Sequence, residues 1–170
     1  MKGELTFNVT SNWSEIDHIN IRTRDFLSDT SLSKGEVDTF TMVITELMEN
    51  AIKYGQDDAY IEVAVTITGT DIQIRVDNQI DHNQIPSLKR LDHTLQWIRG
   101  IHDPYQAFLE RIRQIAREPL SDSKSCLGLV RIAYEGRAII DFILEENRLS
   151  VSAIAILNSS KKTAETSEDA

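Results

Sequence analysis

Glu46 and Asn50 stand four residues apart in the segment Thr-Glu-Leu-Met-Glu-Asn-Ala-Ile-Lys-Tyr-Gly, residues 45–55. On a helix that spacing puts both side chains on one side. A carboxylate and an amide there, at the border of an apolar stripe, can hold a hard cation or orient a water. Mg²⁺ suits such a place, because it takes oxygen ligands and keeps several waters while bridging phosphates. The same spacing is met as well by a plain solvent-facing helix, with Glu49 and Lys53 as a surface ion pair.

Two further stretches carry comparable chemistry. In Val76-Asp77-Asn78-Gln79 a carboxylate at a strand end can accept a hydrogen bond from an amino group such as that of adenine, and a charged acceptor does so about twice as strongly as a neutral one. Asp-Asn is equally ordinary in a strand-ending turn. In residues 125–130, Ser-Cys-Leu-Gly-Leu-Val, a polar loop feeds a helix whose free N–H groups and dipole favour an anion. Gly128 lets a phosphate or a backbone come close. An unliganded helix start capped by Ser125 reads the same way.

These residues need elements to place them. Leu5, Phe7 and Val9 alternate as a strand, and residues 14–28 carry Ile16, Ile19 and Phe26 at helical spacing. From 36 to 54, Val37, Phe40, Ile44, Leu47, Ala51 and Tyr54 form one helical stripe. Ser33 with Glu36 makes a capping box at its start, and Gly55 is placed for a left-handed C-terminal residue. A hairpin follows, Ile61 to Ile67 and Ile72 to Val76, turning at residues 68–71. Leu88, Leu91, Leu95 and Ile98 predict a helix, and a second starts at Asp103 and stops before Pro119. After a polar loop at 121–125, a short helix over 126–135 ends at Gly136, and strands at 138–144 and 149–157 close the pattern. The expected fold is therefore α+β: a two-layer sandwich, a mostly antiparallel sheet with helices on one face and a helical insert at about 80–125. One domain spans 1–157, and the polar tail 158–170 reads as disordered.

Composition removes several function classes. The 170 residues carry a net charge of −9 with no strongly basic stretch, which argues against phosphate-backbone binding. A single cysteine, Cys126, excludes an internal disulfide. No apolar run approaches the roughly 20 residues a bilayer needs, and no signal-peptide pattern opens the chain, so the cytoplasm is the expected compartment. His18, His82, His93 and His102 show no metal-ligand spacing, and no Gly-x-Ser-x-Gly elbow occurs.

Taken together, residues 45–55 resemble the N-box helix of the GHKL superfamily of ATP-binding proteins, which includes histidine kinases and anti-sigma serine kinases. Residues 74–78 resemble the strand leading to that family's adenine-binding Asp, and residues 126–130 the start of its second glycine box. Without a dimerisation helix pair bearing a phosphorylatable His, the chain is similar to the small stand-alone members, and its long insert is similar to that of SiaB-type protein kinases. The resemblance implies ATP and Mg²⁺ as cofactors. It implies Asn50 as the Mg²⁺ ligand, Glu46 as the catalytic group that acts as general base or positions the nucleophile, Asp77 on the adenine amino group, and Gly128 with Leu129 and Lys53 toward the phosphates. The implied activity is transfer of phosphate to a Ser or Thr of a small regulatory partner, STAS-like or similar to an anti-sigma antagonist, with homodimer formation a further option. Gln79 stands where the family has glycine and residues 121–125 contain none, which motivates the alternative: an inactive interaction module of the same fold that regulates a partner by binding.

Overall fold

The computed structural model describes residues 2–115, 117 and 127–157. The loop expected at 121–125, Cys126 and the tail lie outside the described residues. Five strands form one antiparallel sheet in the order β1-β2-β3-β5-β4: β1 (Lys2–Thr10), β2 (Tyr60–Thr68), β3 (Asp71–Gln79), β4 (Ile139–Glu145) and β5 (Arg148–Ile156). Helices α1 (Glu15–Ser28), α2 (Lys34–Tyr54), α3 (Ile85–Gly100), α4 (Pro104–Ile115) and α5 (Leu127–Tyr134), with a 3₁₀ turn at His82–Gln84, complete the order. The two-layer α+β architecture expected from the pattern is the one observed. No helix among the described residues is long and apolar enough to cross a membrane.

The strand pattern shows why the helices share a face. Along β2 and β3, Ile61, Val63, Val65, Ile67, Ile72, Ile74 and Val76 are all buried, and residues between them are more exposed. Period two sends one set into the core and the other to the open face. Gly69, at φ 86°, takes the left-handed position of the Thr68–Asp71 turn.

Helix α2 lies at the centre of the helix layer, with Phe40, Val43, Ile44, Leu47 and Met48 buried. Its capping box forms as the sequence predicts. Ser33 accepts the Glu36 N–H, and the Glu36 carboxylate accepts from the Ser33 N–H at 2.8 Å. Gly55 corrects one expectation. Its φ is −78°, not left-handed. The glycine is needed for room: a Cβ there would strike the Ala51 carbonyl and stand 2.9 Å from Asn78 Nδ2.

Candidate functional site

Glu46 emerges from α2 toward the start of α5. Arg131 Nη1 donates to Glu46 Oε1 at 2.5 Å, and Arg131 Nε donates to Glu135 Oε1 at 3.1 Å. One guanidinium thus joins a carboxylate of α2 to one just past the end of its own helix. The Glu46 side chain keeps 14% exposure. Loss of water raises its proton affinity above the ordinary glutamate value; the pull of Arg131 opposes that rise, and the negative charge of Glu49 adds to it. The Glu135 hydrogen bond first, then the charge of Glu46, holds the Arg131 proton still more firmly than usual.

Gly128 belongs to this same contact. A Cβ at 128 would collide with the Glu46 carboxylate, so the glycine marks the close approach of α5 to α2. Asn50, one turn beyond Glu46, lines a small space with Tyr54, Asn78, Leu91 and Leu129. That space measures about 20 Å³, room for about one water.

Asp77 is elsewhere. Its cross-strand partner is Glu62, and it takes hydrogen bonds from Arg75 Nε at 3.1 Å and Arg148 Nη2 at 3.0 Å, all on the open face of the sheet. Asn78 occupies the helix-facing position instead: it is buried, and its Nδ2 donates to the Ala51 carbonyl of α2 at 3.3 Å. Lys53 Nζ lies 5.4 Å from the Tyr54 ring centre.

The structure therefore brings Asn50 and Leu129 to one small cleft, joins Glu46 to Gly128 beside it, and sets Asp77 on the opposite side of the sheet. Two residues were missed from sequence. Asn78 had a signal, since counting in twos from Ile72, Ile74 and Val76 lands on 78 and not on 77. Arg131 had none, being 85 residues from Glu46.

The oxygens of Glu46 and Asn50 suit a hard cation in kind, but Glu46 is engaged by Arg131. The cleft beside them is narrow, walled by Tyr54, Leu91 and Leu129. Among the described residues, the space left beside Asn50 is smaller than a nucleotide needs. No cluster of three or more His, Cys, Asp or Glu able to hold a metal occurs among the described residues. A roomier recess, of about 490 Å³, lies between α3, the start of α4, the end of α5 and the start of β4.

No family model matches the chain, and no curated protein matches it. Among solved structures, the chain is similar to one from the SiaB-SiaC complex of Pseudomonas aeruginosa, with a TM-score of 0.68 and 22% identity over 89% of this chain and 88% of that one. At that identity the likeness establishes the fold.

Proposed function

We propose that this chain is a signalling regulator that works by binding one small partner protein. A single contrast in the structure carries the reading: the cleft beside Glu46 and Asn50 has room for about one water, whereas the recess beside β4 is open and lined largely by apolar side chains. Support also comes from the neighbour of the same fold, which was solved in a complex. The partner we propose is a small regulatory protein, STAS-like or similar to an anti-sigma antagonist. In-cell cross-linking followed by mass spectrometry tests this. The expected result is one stoichiometric small protein that re-forms a complex with the purified chain; recovery of none would count against partner binding.

The finer reading is an ATP- and Mg²⁺-dependent serine/threonine kinase for that partner, with Glu46 as base and Asn50 toward the metal. It is favoured by a half-buried carboxylate of raised proton affinity one helical turn from an amide. It requires Tyr54, Leu91 and Leu129 to withdraw. The binding-only version is favoured by the narrow cleft and by the placement of Asp77. Calorimetry with ATP and Mg²⁺ on wild type and Asn50→Ala, followed by transfer of labelled phosphate to the partner, separates the two. Heat and transfer lost in the variant support the kinase, and neither in the wild type supports binding alone.

A further inference from the structure

We infer that the recess between α3, α4, α5 and β4 is a docking groove for a partner segment presenting a large apolar side chain next to a carboxylate. This deepens the partner-binding reading and rests on it for the occupant being a protein.

The walls supply the apolar half. Leu95, Ala133, Ala138 and Ile140 are buried beneath the groove, and Ile139 at its rim is 74% exposed. The rings of Tyr105 and Tyr134 stand 5.1 Å apart at 41°, and Tyr134 also stacks on Phe108 at 5.3 Å. Tyr134 is thereby fixed before anything binds, so an incoming side chain meets a preformed surface.

The charges supply the other half. Arg99 donates to the Ile140 carbonyl and to Asp141 Oδ1, each at 3.0 Å. Asp103 accepts the Tyr105 N–H at 2.9 Å at the start of α4. Arg137 has no hydrogen bond or ion pair among the described residues, is exposed, and lines the groove. Its φ of 47° is in the left-handed region, where a side chain is strained and glycine is relaxed. A guanidinium with no partner among the described residues, kept at a strained position beside an aromatic wall, is suited to a carboxylate, which it meets through two parallel hydrogen bonds. In a chain of net charge −9, an acidic segment is repelled over much of the surface and meets this cation locally. Simple strand addition is obstructed, because Arg99 already takes the Ile140 carbonyl of the edge strand. Recognition therefore goes through side chains.

The test titrates the ¹⁵N-labelled protein with end-capped peptides of sequence Ser-Gly-Phe-Glu-Gly-Ser, alongside versions with Gln for Glu and with Ala for Phe. The Phe-Glu peptide is expected to shift the amide signals of Tyr105, Tyr134 and Ile139. Replacing Glu by Gln should weaken binding about tenfold, the loss of one charge-assisted pair. Arg137→Gly should raise the melting temperature by relieving the backbone while abolishing the Glu-over-Gln preference. A merely structural residue would not move both ways. Glu and Gln peptides binding alike, no shift in the groove, or an unchanged preference in Arg137→Gly overturns the inference. If cross-linking returns a partner while the peptides leave the groove untouched, only the groove assignment fails. If the peptides bind as expected and no partner is recovered, the groove chemistry stands and the partner-binding reading falls.

Discussion

At residue scale the contact among Glu46, Gly128 and Arg131 is the sharpest feature of the candidate site. Gly128→Ala places a methyl against a carboxylate that Arg131 holds in position. The expected cost is about 1–3 kcal/mol, as for overpacking elsewhere. With Glu46→Ala in the background the obstruction is gone, and the same substitution should stabilise by up to about 1 kcal/mol through helix propensity. A double-mutant cycle by chemical denaturation reads the reversal; additive effects would show that the glycine serves something other than this approach. Glu46 itself gives a pH signature. Its carboxyl binds a proton more tightly in the folded chain than in the unfolded one, because burial dominates. Its contribution to stability is therefore fully present below the unfolded value and is lost as pH rises through the folded one. Subtracting the Glu46→Gln melting curve isolates that contribution. The difference should shift in favour of wild type on going from about pH 7 to about pH 5, the side on which an ordinary glutamate begins to take up protons. An opposite slope would mean that the attraction of Arg131 outweighs desolvation.

At element scale, β3 divides its chemistry between two faces. Asp77 draws Arg75 of its own strand and Arg148 of β5 together with Glu62 of β2, so the carboxylate ties three neighbouring strands. Asp77→Asn removes the charge while keeping the shape. Because both arginines are about half exposed and rehydrate, the expected loss is on the order of 1–3 kcal/mol, that of hydrogen bonds to a charged group. Urea unfolding should show a lower midpoint at unchanged slope. Nucleotide or peptide binding on the helix side should be unaffected; a loss there would tie Asp77 to a site it does not face. The elements themselves were legible from sequence, because alternation in β2 and β3 and the stripe of α2 are local signals. The capping box of Ser33 and Glu36 was legible for the same reason. What was not legible is what crosses between elements. The family-like Asp was read by its position in a motif, whereas strand parity gives the helix-facing place to Asn78. The partner of Glu46 is set by how α5 docks on α2, which no local pattern encodes.

At the scale of the whole molecule, the question is whether the helix layer opens. Leu91 of α3 is 7% exposed and, with Leu129 of α5 and Tyr54 of α2, walls the narrow cleft next to Asn50. If nucleotide binds only an opened form, its apparent affinity is its intrinsic affinity scaled by the population of that form. Leu91→Ala penalises the closed form by about 2–5 kcal/mol, the usual cost of truncating a buried leucine, and leaves an open form with a hydrated side chain nearly untouched. Each 1.4 kcal/mol of that bias is worth tenfold in apparent affinity until the open form predominates. A fluorescent ATP analogue with Mg²⁺ should therefore bind Leu91→Ala at least about tenfold more tightly than wild type, while Ala at Asn50 in the same background should remove the gain. Should neither wild type nor Leu91→Ala bind the analogue, the packed cleft is simply core, and the proposed partner binding stands without a nucleotide.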